Sequence, residues 1–190
     1  MLKFEDLIEL EGLYYKKDSI EPYTGNIKGK LEGSFINGRP EGEWVEYYKN
    51  NTVCSKERYK NGELEGEVLY FYTNGKLKEK GFVKNDKWEG EYSEYYDNGK
   101  LRYKKHYIKG VLDGNYYFYY KNGQLKEKGK YVTGKLEGQF LNYYSNGQLW
   151  IENNYKNGKL EGERLVYFEN GKLEKTEIYK NGLNTNRPGH

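Results

Sequence analysis

A glycine preceded by an acidic residue returns every 24 residues, at Gly42, Gly66, Gly90, Gly114, Gly138 and Gly162. Six copies at one spacing constrain the fold more than any single motif does, because a unit repeated in this way buries its apolar face mainly against copies of itself. Six residues after each glycine stands an aromatic: Tyr48, Tyr72, Tyr96, Tyr120, Tyr144 and Phe168. Asn-Gly follows at 74–75, 98–99, 122–123, 146–147 and 170–171, with Asn50-Asn51 in the first copy.

Within each unit the pattern Tyr-x-Asn-Gly-x-Leu occurs in two forms. One runs from Tyr72 to Leu77 and recurs through Tyr144 to Leu149; the other is clear at Tyr59 to Leu64 and Tyr155 to Leu160, with looser versions from Val83, Tyr107 and Tyr131. Asn-Gly between apolar residues signals a two-residue type I′ hairpin, whose central positions both need positive φ. Each unit is therefore read as two strands and two such turns, with Tyr72 across from Leu77 and Tyr155 across from Leu160. Strand alternation then puts Trp44, Tyr48, Val53, Tyr59, Leu64, Gly66, Val68 and Tyr72 on one face. In this register Gly66 faces Val83, while Gly90, Gly114 and Gly138 face Tyr107, Tyr131 and Tyr155, so that rings can cover the glycines. On the other face Arg58 is expected opposite Glu65, His106 opposite Asp113, Lys130 opposite Glu137, and Lys56 opposite Glu67.

The fold expected is all-β: an elongated, single-layer, twisted antiparallel β-hairpin solenoid on the 24-residue repeat. Residues 1–24 form an N-terminal cap with a strand near Leu13-Tyr14-Tyr15. Repeats fill 25–184, as a partial unit over 25–41 and six units from Gly42, and 185–190 form a flexible tail. Composition agrees with a thin, aromatic-faced sheet, since 23 Tyr help rings supply 17% of residues within a hydrophobic fraction of only 35%. The formal net charge of +3 lacks the basic block of a polyanion binder, so no nucleic acid is expected. The acids among the first ten residues interrupt a signal-peptide pattern, and no stretch is long and apolar enough to span a bilayer, which favours a cytoplasmic protein.

The run Glu65-Gly66-Glu-Val-Leu-Tyr-Phe-Tyr72-Thr-Asn74-Gly75-Lys-Leu77 resembles the bacterial variant of the membrane occupation and recognition nexus (MORN) repeat. The opening, Glu11-Gly-Leu-Tyr-Tyr-Lys-Lys17, Pro22-Tyr-Thr-Gly25 and Glu32-Gly-Ser-Phe-Ile-Asn-Gly38, is similar to the start of proteins labelled YwqK-like antitoxins of toxin-antitoxin systems. The resemblance spans residues 11–184 and implies a β-hairpin repeat with a binding role. Related eukaryotic repeats are associated with membrane tethering, phosphoinositide lipids and scaffolding.

Catalytic chemistry finds little to work with. Only His106 and His190 are present, and the lone Cys54 gives neither a disulfide nor a metal spacing. The acids before the glycines recur in every unit, which marks a structural role, since catalysis needs one special constellation. No enzyme, cofactor or metal is expected. The candidate partner-binding residues are a second aromatic ladder, Tyr47, Phe71, Tyr95, Tyr119, Tyr143 and Tyr167, on the face opposite Tyr48, joined at the next strand by Lys78, Arg102 and Lys126. The leading reading is a protein-binding antitoxin, immunity or scaffold module, with a cognate toxin as one such partner. Alternatives are an anionic membrane surface reached by the Lys and Tyr strip, and a cell-surface glycan. Open sheet edges also allow a homodimer.

Overall fold

The computed structural model describes residues 2–185, so the tail beyond Thr185, including His190, lies outside the described residues. Apart from a 3-10 turn at Phe4–Asp6, every regular element among them is a β-strand in an antiparallel pairing. The chain forms two compact units, Met1–Glu89 and Gly90–His190. Among the described residues no helix is long and apolar enough to cross a membrane.

Each repeat is one hairpin followed by a short return strand. In the second unit, Gly114–Tyr119 pairs with Leu125–Val132, whose far end turns back into Lys135–Leu136. That second turn is the expected two-residue one: Tyr131 faces Leu136, and Thr133 and Gly134 take φ of 46° and 78°. Tyr59 likewise faces Leu64, and Tyr155 faces Leu160.

The other turn corrects the sequence reading. Tyr72 does not lie across from Leu77; Phe71 does, and in the first copy Val53 lies across from Tyr47, on the face opposite Trp44 rather than beside it. The Tyr72 carbonyl accepts from the Gly75 N–H and the Tyr72 N–H donates to the Lys76 carbonyl, both at 2.8 Å, so the loop holds three residues, Thr73-Asn74-Gly75. Gly75 alone of these takes positive φ, at 79°. A three-residue loop would slip the register by one, but a bulge follows at once and restores it. Beyond the bulge Tyr70 faces Glu79 and Gly66 faces Val83, as the two-residue turn would have set them.

The periodic glycines also have a different reason from the one expected. Gly90, Gly114 and Gly138 do face Tyr107, Tyr131 and Tyr155. Yet a Cβ on Gly90 or Gly138 would meet nothing within 4 Å, and one on Gly114 would meet His106. What these positions need is backbone freedom, with φ of 75°, 128° and 74°. Rings cover other glycines, Gly33 beneath Trp44 and Gly129 beneath Phe140.

The acid-glycine step offsets the ladder by two residues between the pairs Tyr107–Leu112 and Lys104–Tyr117. Glu65, Asp113 and Glu137 do lie opposite Arg58, His106 and Lys130, to whose carbonyls their N–H groups donate at 2.9–3.0 Å, but among the described residues no ion pair joins them, and His106 Nδ1 meets the Asp113 carbonyl at 2.7 Å. Lys56 faces Leu69 rather than Glu67. The recurrent carboxylates reach to the next two-residue turn instead. Glu41 accepts from the Asn61 N–H at 2.7 Å, Asp113 from Thr133 at 3.0 Å, Glu137 from Asn157 at 2.8 Å, and Glu161 from Asn181 at 2.7 Å.

Because of that offset, successive hairpins share only two residue pairs, such as Glu127–Asn142 and Lys128–Leu141. Side chains supply the remaining links. The hydroxyls of Tyr48, Tyr96, Tyr120 and Tyr144 donate to the carbonyls of Phe71, Tyr119, Tyr143 and Tyr167 at 2.6–2.8 Å, each 23 residues on. Asn98 Oδ1 accepts from its own loop, at the Lys100 N–H, while its Nδ2 donates to the Lys121 carbonyl of the next loop at 3.1 Å; Asn122 does the same with Gln124 and Ser145.

The partial unit over 25–41 keeps the pattern, with Phe35 facing Pro40 across an Asn37-Gly38 turn. Before it, Leu7–Leu10 and Leu13–Lys16 form a separate two-stranded sheet. Its Tyr14 packs on Phe35 with ring centroids 5.0 Å apart, over a buried cluster of Leu7, Tyr23, Ile27, Phe35 and Trp44.

Two substitutions test this framework by urea denaturation. Gly129→Ala would place a Cβ 2.3 Å from a Phe140 ring held against Tyr116 and Tyr155, and is expected to cost about 1–3 kcal/mol. Tyr120→Phe removes one inter-repeat hydroxyl at constant shape and is expected to cost about 0.5–1.5 kcal/mol.

Candidate interaction surface

Strand alternation gives each unit two distinct faces. In the second unit one face is a chain of rings: Tyr92 meets Tyr107 edge-on at 5.9 Å, Tyr103 stacks on Phe118 at 4.4 Å, and Tyr116 lies between Tyr131 and Phe140 at 5.7 and 6.1 Å. Phe140 continues to Tyr155 at 6.0 Å. Offset and edge-on contacts at these distances favour the ring quadrupoles, so this face packs against itself in the plane of the sheet. Burial raises the phenol pKa of Tyr107, Tyr131 and Tyr155, and at Tyr116 the adjacent Glu127 carboxylate pushes the same way.

The opposite face carries the predicted ladder. Tyr119 shares it with Tyr117 and Lys104, and burial raises the Tyr119 hydroxyl pKa, with Tyr117 adding to the rise and Lys104 opposing it. Tyr47, Phe71, Tyr95, Tyr119, Tyr143 and Tyr167 are all half-buried, and in the second unit Leu141 and Leu165 lie on the same face. Every strand of Gly90–His190 among the described residues belongs to one sheet, so no second layer from this unit covers the ladder.

The cations expected beside the ladder lie elsewhere. Arg102 sits over the rings of Tyr96 and Tyr103 at 5.6 and 5.1 Å and pairs with Glu94 at 2.6 Å. Lys126 sits over Phe118 and Tyr120 at 4.6 and 5.5 Å. Lys78 pairs with Glu79 at 3.1 Å, and that carboxylate raises the Lys78 pKa. Lys78, Arg102 and Lys126 are the unmatched residues of the bulges, and a bulge re-aims a side chain out of the alternation. Other cations do stand on the ladder face: Lys56, Lys80, Lys104 and Lys128 lie opposite Val45, Leu69, Ser93 and Tyr117, with Lys80 paired to Glu67 at 2.7 Å and Lys104 to Glu91 at 2.8 Å.

The series Trp44, Val68, Tyr92, Tyr116 and Phe140, aromatic at every member but Val68, keeps the 24-residue period, so this part of the surface was present as a sequence signal two positions after each glycine. Its sixth member, Arg164, replaces the ring with an ion pair to Glu177. Cys54 is half-buried, and among the described residues no group of three or more His, Cys, Asp or Glu side chains could hold a metal ion.

Six successive stretches, residues 40–61, 64–85, 88–109, 112–132, 136–157 and 160–181, match the pattern described as the MORN repeat variant. The chain belongs to the MORN repeat variant family. Each matched stretch begins near an acid-glycine step and closes at a two-residue turn, so one MORN variant unit is one hairpin with its three-residue loop at the centre. MORN repeats are binding modules rather than typical enzymes. No curated protein sequence matches the chain.

The buried phenols make a prediction about alkaline pH. The fold favours the neutral phenols of Tyr116, Tyr131 and Tyr155, so their contribution is complete below the unfolded phenol pKa of about 10 and declines as pH rises toward the folded values. Phenolate absorbance should show these residues ionising above the ordinary range and together with loss of the β circular-dichroism signal, rather than as independent groups near pH ~10.

Proposed function

We propose that this chain is a non-enzymatic protein-binding module whose docking surface is the half-buried tyrosine ladder, and that it serves as an antitoxin, immunity or scaffold protein. The observation that carries this reading is the asymmetry of the two aromatic faces. One set of rings satisfies its packing within the sheet, while Tyr119, Tyr143 and Tyr167 recur on the other face with Leu141 and Leu165 and no second layer from their own unit. Tyrosine brings large contact area at low conformational cost, which is why it anchors protein interfaces. The similarity of the opening residues to YwqK-like antitoxins supports a toxin as the partner. A protein is favoured over an anionic bilayer because Arg102 and Lys126 are engaged over rings of the other face, and two of the lysines on the ladder face, Lys80 and Lys104, are matched by Glu67 and Glu91, which gives that face mixed charge.

The test is co-expression with the product of the adjacent gene, followed by size-exclusion chromatography. A stable complex is expected, and the double substitution Tyr119→Ser with Tyr143→Ser should weaken it by about 2 kcal/mol or more while leaving the β circular-dichroism spectrum unchanged. A complex indifferent to that substitution would remove the ladder from the interface. Binding to anionic vesicles in place of any protein would favour the membrane reading.

A further inference from the structure

The first unit contains a cavity of about 440 Å3 with an unusual lining. Its rings come from two layers. Phe4 and Tyr14 belong to the N-terminal segment, 5.6 Å apart, while Trp44 and Tyr59 belong to the repeat sheet, 5.8 Å apart in an edge-on contact. The Tyr14 and Trp44 rings are joined through Phe35, which lies 5.0 Å from each.

Carboxylates are set among these rings. Glu9 comes from the hairpin, Glu46 and Glu57 from the two strands beneath it, and Glu63 from the return strand. Among the described residues none of the four is in an ion pair. The one cation in the lining, Arg39, donates from Nη1 to the Asn61 carbonyl at 3.3 Å. Glu57 is held in place by two phenols: the Tyr59 hydroxyl donates to one of its oxygens and the Tyr70 hydroxyl to the other, both at 2.8 Å. A carboxylate has about four acceptor positions, so two such bonds orient Glu57 and leave it able to accept more. Trp44, only 6% exposed, lines the same cavity and has an indole Nε1–H without an acceptor among the described residues, a donor that an ammonium cannot satisfy and a carbonyl carried by the same ligand can.

Rings together with unneutralised carboxylates select for positive charge. The ring faces attract a cation through their quadrupoles, and the carboxylates repel an anion and attract a cation by Coulomb's law. A bare metal ion is a poor fit, because no group of three or more ligating side chains converges among the described residues and hard cations need several oxygens at short range. An organic cation with an apolar stem fits both components of the lining. We propose that this cavity binds an alkylammonium group, of the size and charge of a lysine side chain. The site owes nothing to the tyrosine ladder, and its failure would leave the docking face untouched.

The test is a titration of the full chain, followed by tryptophan fluorescence and by protein NMR, with n-butylammonium and with Nα-acetyl-lysine methylamide. Neutral n-butanol and anionic butyrate serve as controls. Saturable binding of both ammonium ligands is expected, with neither control saturating, and Glu57→Gln should weaken it about tenfold. Glu46→Gln, at an exposed position, is a second variant that should weaken binding without disturbing the fold. Tighter binding of the lysine derivative than of butylammonium would mark a protein lysine as the source, and equal binding a free amine. Binding of n-butanol as tight as butylammonium, retention of full affinity in both Gln variants, or absence of saturation by either ammonium would overturn the proposal.

Discussion

The structure depends on a phenol hydroxyl bonded to a main-chain carbonyl 23 residues further along, made by Tyr48, Tyr96, Tyr120 and Tyr144. Within a hairpin, strand pairing is nearly continuous. Between hairpins the acid-glycine step reduces it to two residue pairs, and the ladder alone would leave successive repeats weakly joined. The phenol and the asparagine amide each bridge that gap from one repeat to the backbone of the next, and the recurrent carboxylate ties each acid-glycine step to the next two-residue turn. Each bond of this kind contributes only about 1 kcal/mol net. Their repetition lets a chain poor in aliphatic residues hold a sheet, with stability accumulating between neighbours as in other repeat proteins.

The same dipeptide, Asn-Gly, does two jobs in one repeat. In the two-residue turn both residues take positive φ, and Asn37, Asn61, Asn157 and Asn181 can be replaced at equivalent positions by Lys109 or Thr133. In the three-residue loop only the glycine does so; the asparagine is there for its amide, which closes its own loop with Oδ1 and reaches the next with Nδ2. The difference is visible in retrospect, since the loop asparagine stands at every copy from Asn50 to Asn170 whereas the turn asparagine does not. Reading both as type I′ turns placed Tyr72 opposite Leu77 wrongly but preserved the register beyond, because the extra loop residue and the bulge cancel.

Face assignment succeeded where alternation holds and failed where bulges interrupt it. Trp44, Tyr59 and the ladder tyrosines follow period two from a correct register, and their positions could be read directly. Arg102 and Lys126 could not, because the bulge residue leaves the alternation and joins the ring face. The charge pairs failed for a related reason: the two-residue offset at each acid-glycine step turned the carboxylates away from their strand neighbours and toward the next turn.

The sequence by itself determined the repeat, its length, the all-β class and the pairing within each hairpin beyond the loop and its bulge, because these follow from an alternation that a 24-residue spacing repeats without drift. Tertiary structure decided what the rings and charges meet. The placement of the N-terminal hairpin over Phe35 and the gathering of Glu9, Glu57, Trp44 and Tyr59 around one cavity join residues from off-period and on-period segments. No periodicity relates such segments, so only the packing of one layer on the other could bring them together.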